Sequence, residues 1–277
     1  MITQNNNTDK QFAAIVLAAD RTGKDPITQY TNAACKAFAS VDGIPMVIRV
    51  LNALQACPQI SSIILCGPLE KLHHHCPELK QRIDSGQVAW IPNLDSPSRS
   101  ADSGLKQIPE NVSVLVTTAD HALLTSQIVQ QFLQRSITTT ADATVGIVRQ
   151  EKIAAAFPDS KRTVIRLRDG GFCGCNLFAF TPNGRSLVQF WRQAEDLRKK
   201  PWQLIARVLG FKTVFAYLLG ILTREQGVAA VSQKSGVNIQ TIELDDPRAG
   251  VDVDKVEDLQ LAEAILKNEK PTQWVQE

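Results

Sequence analysis

The feature that most constrains this chain is an alternation, through its first half, of short apolar runs with stretches of helical spacing. Phe12–Ala18, Ser62–Cys66, Val88–Ile91, Val112–Thr117 and Ala143–Val148 are short, apolar and bounded by polar or turn-forming residues, so they read as strands. In Val112–Thr117 the apolar residues are nearly continuous rather than alternating, as in a strand covered on both faces. Between these runs the spacing predicts a helix from about Pro45 to Cys57, with proline suited to a helix start. A second helix is predicted from Ile128 onward, capped by Thr125. Strands that alternate with helices form right-handed crossover units, so the expected class is α/β with a mixed, mostly parallel sheet.

The second half has a different texture. Thr163–Leu167 and Cys173–Thr181 flank the turn residues Asp169-Gly170-Gly171 and predict an antiparallel hairpin. From Gly184 to Gln233 the spacing is almost wholly helical, with breaks at Pro201, Gly210 and Gly220. A last strand is expected at Val237–Leu244 and a closing amphipathic helix at Val256–Lys267. We therefore expect one domain over residues 11–270 with a helical insertion at about 184–234, and flexible tails at 1–10 and 271–277.

Composition narrows the function classes. With 44% hydrophobic and 21% charged residues the chain has the profile of a globular protein, and a net charge of +2 gives no footprint for nucleic acid. Six cysteines without a C-x-x-C pair support neither zinc nor a disulfide framework. No apolar stretch approaches the ~20 residues that span a bilayer, so no stable membrane insertion is expected and the expected location is cytoplasmic.

The predicted strand Val112–Thr117 runs directly into Thr118-Ala119-Asp120-His121. In open parallel sheets ligands bind beyond the carboxyl ends of strands, and a carboxylate there is a hard oxygen donor of the kind magnesium prefers. Capping of the next helix is the competing role for Asp120, although Thr125 is better placed for it. The first strand ends in Ala19-Asp20-Arg21-Thr22-Gly23-Lys24, a turn whose amides and cations suit a triphosphate, yet it is neither G-x-G-x-x-G nor a P-loop.

Three ordered motifs carry a family resemblance. Ala14-Ile15-Val16-Leu17-Ala18-Ala19-Asp20-Arg21 with Cys35-Lys36-Ala37 and Gly43-Ile44-Pro45-Met46 resembles the opening of the MobA-like nucleotidyltransferases, which include molybdenum-cofactor guanylyltransferases and are related to sugar-nucleotide pyrophosphorylases. Leu115-Val116-Thr117-Thr118-Ala119-Asp120 resembles their metal-binding strand end, and Val251-Asp252-Val253-Asp254-Lys255-Val256-Glu257-Asp258-Leu259 their closing motif. The resemblance implies a three-layer, Rossmann-like nucleotide-diphospho-sugar transferase (GT-A-like) fold, with an NTP and a small-molecule acceptor as substrates, Mg²⁺ as cofactor and a possible homodimer. Ala19 and Asp20 stand where relatives carry glycine, Ala122 where many carry proline, and Lys255-Val256 in place of Thr-Pro.

By the same resemblance Lys36 and Arg21 face the phosphates and carry catalysis, and Leu17, Ala18, Ala19 and Asp20 form the loop around the nucleotide. Ser98, Ser100 and Ser103, in Pro97–Leu105, receive base and ribose. Helix capping is an alternative role for Ser100. Asn176 serves the acceptor, and a buried structural amide is its alternative. Asp120 binds Mg²⁺, joined by Asp252 or Asp254, which alternation places on one side of an extended segment. A solvated face beside a helix N-terminus is the other account of that pair.

Two features stand outside this scheme. His73-His74-His75-Cys76 is not a metal site by geometry, because consecutive side chains cannot all face one ion. Arg198-Lys199-Lys200-Pro201-Trp202 and the apolar run to Leu222 fit either a core-packed insertion over the acceptor site, the more ordinary reading, or docking on an anionic membrane surface. Nucleotidyl transfer is the expected activity. A GT-A-type glycosyltransferase and a non-catalytic nucleotide-binding module are the alternatives.

Overall fold

The computed structural model describes residues 11–18, 25–158, 160–197, 201–204, 207–208 and 210–269. In chain order the elements are β1 (Phe12–Leu17), α1 (Pro26–Thr31), the two-residue strands β2 (Ser40–Val41) and β3 (Ile44–Pro45), α2 (Met46–Gln55), β4 (Ile60–Cys66) and α3 (Pro77–Asp84). Next come β5 (Ala89–Ile91), α4 (Pro97–Leu105), β6 (Ser113–Thr118), α5 (Ser126–Ile137), β7 (Ala143–Arg149) and α6 (Gln150–Ala156). The chain continues with β8 (Ile165–Leu167), β9 (Gly170–Phe180), α7 (Leu187–Asp196), α8 (Pro201–Leu204), α9 (Phe211–Leu218), α10 (Arg224–Ser235), β10 (Ile239–Glu243) and α11 (Val256–Glu269).

Seven of the strands lie in the order β10-β7-β9-β6-β1-β4-β5, and β8 pairs with β9 off that path. All run parallel to β1 except β9, which is antiparallel to both β6 and β7. β1 is buried along its whole length, flanked by β4 and β6, which accounts for its lack of a polar face. One face of the sheet, through Ala14, Val16, Leu65 and Leu115, packs against Val47 and Leu51 of α2 and Ile128 and Phe132 of α5. The other, through Ile15, Val114 and Val116, packs against Ala101 and Leu105 of α4 and Val188 of α7. The result is the expected helix–sheet–helix, three-layer arrangement. A third apolar cluster joins Ile27, Val41, Met46, Leu123, Val251, Val253 and Leu259, and fixes the closing segment to the carboxyl end of the sheet.

The helix α5 begins as the sequence predicts, with the Thr125 hydroxyl accepting from the Ile128 amide. Some elements differ from the reading. The hairpin turn closes at Arg168-Asp169, so Gly170 and Gly171 already belong to β9. The helices α1, α3 and α6 are six to eight residues long, too short for periodicity in the sequence to declare them. The expectation of a core-packed insertion is corrected in its middle: α9 buries none of its residues, while Leu197 and Leu222 are buried at the two ends of the run and Val228 and Val231 of α10 pack against the core.

Candidate active site

The site lies where β1, β4 and β6 end on the same side of the sheet. Leu17 and Ala18 are buried there; the Leu17 carbonyl accepts from the Ala119 amide at 2.9 Å, and the Ala18 amide donates to the Cys66 carbonyl. Gly67 follows β4 with φ +81, and a Cβ on it would meet the Ala18 carbonyl oxygen at 2.9 Å. Only glycine suits both that backbone and that proximity. Ala19, Asp20 and Arg21 lie outside the described residues.

Lys36 is placed by a 3-10 turn, Lys36–Phe38, whose Ala37 and Phe38 are buried and therefore anchor it. Its Nζ donates to Asp120 Oδ2 at 2.7 Å and to Asp254 Oδ1 at 2.8 Å. Burial works against the ammonium charge, but Asp120 beside it and the bonds to both carboxylates outweigh that, and its pKa is raised. Lys36 therefore stays fully charged at neutral pH.

Asp120 stands just beyond β6, and its carbonyl accepts from the Val253 amide at 3.0 Å, which ties the closing segment to this strand end. Val251 and Val253 are fully buried, so alternation turns Asp252 and Asp254 outward as expected. Their partners differ, however. Asp254 meets Lys36, whereas Asp252 is paired with the Arg162 guanidinium through Oδ1 and accepts from Asn176 Nδ2 at 2.9 Å through Oδ2. Arg162 also donates to Asp258 Oδ1 at 2.8 Å, and Asp258 Oδ2 accepts from the Asp254 and Lys255 amides at the start of α11. Thus Asp120 and Asp254 converge on one atom and Asp252 does not join them. Among the described residues no three acidic, histidine or cysteine side chains form a ready metal cage.

Unpartnered polar atoms crowd the end of β6. The hydroxyls of Thr117 and Thr118 and Asp120 Oδ1 are buried without a hydrogen-bond partner in the protein, and the buried His121 ring lies beside them against the Arg248 backbone. Native structures seldom leave such atoms unsatisfied, and a run of them at a strand exit points to a ligand. Burial pushes the His121 imidazole down to about 4, against the opposing pull of Asp120, so the ring is neutral at pH 7.

Asn176 lies where β9 bulges opposite Val145 and Ile147, and its φ of 50 is a left-handed conformation that asparagine tolerates. The bulge aims its amide at Asp252. Asn176 lines a cavity of about 240 Å³ with Lys161, Arg162, Gly174, Asp252 and Asp254.

The serines of α4 are more committed than the sequence implied. Ser96, not Ser100, caps the helix by accepting from the Arg99 amide. Ser100 Oγ accepts from the Leu94 amide and donates to the Ser96 carbonyl, and Ser98 Oγ donates to Glu195 of α7. Ser103 is half-buried in the same helix. The residues that sequence reading missed are Arg162, His121 and Glu195. Arg162 sits in an irregular stretch with no motif around it.

The family model of the MobA-like NTP transferase domain matches residues 14–209. The chain belongs to this family. A hypothetical transferase from Thermus thermophilus resembles it at 31% identity and a TM-score of 0.74, over 90% of this chain and 99% of its own. CMP:2-keto-3-deoxy-manno-octonic acid synthetase complexed with CTP shares the fold at 14% identity and a TM-score of 0.58, over 94% and 100% of the two chains. So does 4-diphosphocytidyl-2C-methyl-D-erythritol synthase from Anaerococcus prevotii, at 12% and 0.53, over 93% and 99%. No protein of curated function matches the chain. The fold is that of the Rossmann-like NTP transferases, and this MobA-like member is a nucleotidyltransferase.

Proposed function

We propose that the protein transfers an NMP from an NTP to a phosphorylated or hydroxylated small molecule, releasing pyrophosphate, and that it requires Mg²⁺. The observation that carries this reading is the Lys36 bridge between Asp120 and Asp254, beside the unpartnered Asp120 Oδ1. The residues fit the ion: Asp120 has a spare oxygen of the hard type magnesium prefers, and Asp254 or Asp252 is the second carboxylate within the same closing segment. When bound, the ion neutralises phosphate charge and polarises the α-phosphate.

The chain's own residues do the rest. An acceptor oxygen attacks the α-phosphorus, the bond to the bridging oxygen of the β-phosphate breaks, and pyrophosphate leaves with the electron pair. Lys36 holds a fixed positive charge where negative charge builds in that step, which is the main demand of phosphoryl chemistry. Arg21 would serve the same end from the loop after β1. Leu17, Ala18, Ala19 and Asp20 would border the nucleotide, with Ser98, Ser100 and Ser103 toward base and ribose. Opening the Ser98–Glu195 contact is then part of nucleotide entry. Asn176 would orient the acceptor in the adjoining cavity, where its amide offers donor and acceptor at once. We further propose that residues 11–270 act as one domain.

The test is pyrophosphate release by Asp120→Ala across a panel of NTPs and phosphorylated acceptors. Loss of magnesium-dependent release, with the fold retained, is the expected result; unchanged turnover sinks the assignment.

A further inference from the structure

The inserted helices carry an apolar surface that nucleotidyl transfer does not use. On α9, Phe211, Phe215 and Leu218 are 60%, 64% and 74% exposed, and Trp202 of α8 is 74% exposed beside them. With Lys212 and Val214 they frame an open hollow of about 460 Å³. Tyr217, Leu219 and Ile221 extend the exposed apolar surface. Scattered surface hydrophobes are normal, whereas a contiguous apolar helix with no buried residue marks an interaction surface.

Charge identifies the occupant. Between Asp196 and Arg224 the sequence holds five cations, Arg198, Lys199, Lys200, Arg207 and Lys212, and no acidic residue. Arg207 and Lys212 are exposed, and Lys212 lines the hollow. Aromatic and aliphatic side chains fringed by cations of one sign suit the boundary between anionic headgroups and acyl chains. A two-fold contact with a second copy would set these like charges face to face. Among the described residues no helix is long and apolar enough to cross a membrane, so the contact is interfacial.

The segment's attachments fix its placement. At one end Glu195 meets Ser98 at the start of α4; at the other the Leu222 carbonyl accepts from the Arg168 amide and the Arg224 amide donates to Asp169. Both anchors lie at the carboxyl end of the parallel strands, the end that carries Asp120. We propose that Trp202 and α9 dock on a bilayer surface rich in anionic lipid, turning the rim of the active site toward it. This goes beyond the proposed reaction and does not depend on it.

The experiment is flotation of the full-length protein with vesicles of phosphatidylcholine alone, or with roughly a third phosphatidylglycerol, at low and high salt. Flotation with the anionic vesicles only, weakened by salt, is expected. Arg207→Gln and Lys212→Gln should each lower partitioning about fivefold. Phe215→Glu/Leu218→Glu should abolish it while leaving the thermal midpoint unchanged, since both side chains are exposed. The proposal is overturned if the wild type stays unbound with anionic vesicles, or if the double variant floats equally well. It is also overturned if light scattering shows a dimer that the double variant dissociates while vesicles are ignored, because a second copy then covers the patch.

Discussion

Replacing Lys36 by methionine keeps the length of the side chain and removes its charge. Two carboxylate oxygens lie 2.7 and 2.8 Å from its nitrogen, hence within about 5.5 Å of each other, and the variant removes the ammonium that bridges them. At that separation their repulsion is about 3 kcal/mol at an effective dielectric of 20 and below about 1 kcal/mol in bulk water. Asp120 is 21% exposed and Asp254 61%, so screening places the cost between these limits, at about 1–2 kcal/mol. For a chain of 277 residues that lowers the thermal midpoint by about 2–3 °C. A divalent ion can take the vacated place. Titration with MgCl₂ in a thermal-shift assay without nucleotide should therefore raise the midpoint of Lys36→Met by more than that of the wild type, since a ligand at a hundredfold its Kd adds about 2.7 kcal/mol. The reasoning fails if Lys36→Met is as stable as the wild type at low salt, or if magnesium acts equally on both.

Three further outcomes follow from the same cluster. Arg162→Met strands Asp252 and the largely buried Asp258, and urea melts should show a loss of about 3 kcal/mol. His121, held down to about 4 in the fold and near 6.5 when unfolded, is protonated only in the unfolded chain between those values, so stability should fall by up to about 3 kcal/mol as pH drops from 7 to 4. His121→Asn should flatten that part of the midpoint–pH curve, and an unchanged slope assigns the loss elsewhere. By calorimetry, an NTP should bind at least about tenfold more tightly with Mg²⁺ than with a chelator, a coupling of about 1.4 kcal/mol, and equal affinities would remove the ion from the binding site.

What the sequence made legible was periodic. The parallel strands stood out because a sheet covered on both faces leaves no room for polar alternation in β1 and β6. Asp120 was legible from its place at a strand exit, and the outward aim of Asp252 and Asp254 from their alternation with Val251 and Val253. What stayed hidden depends on pairs far apart in the chain. Arg162 reaches Asp252 across 90 positions from a stretch without pattern, and Ser98 reaches Glu195 across 97. The left-handed Asn176 belongs to a bulge that only the pairing with β7 reveals. The apolar run of α9 misled in the opposite direction. Hydrophobic spacing signals a face that wants cover, and whether the fold itself supplies that cover is decided by tertiary packing.

Among the described residues the ion pairs of the site join four carboxylates, Asp120, Asp252, Asp254 and Asp258, to two cations, Lys36 and Arg162, with His121 neutral beside them. Such a cluster repels a triphosphate unless positive charge arrives with it, which is the electrostatic argument for a divalent ion as co-substrate of binding. The two cations are not equivalent. Arg162 is 10% exposed and locked between two carboxylates and the Asp252 carbonyl, so it holds the closing segment in place. Lys36 is a flexible side chain whose partner Asp254 is mostly open to water. If an ion takes over Asp120 and Asp254, Lys36 loses both partners at once, and its charge becomes available to the phosphates at the moment they enter.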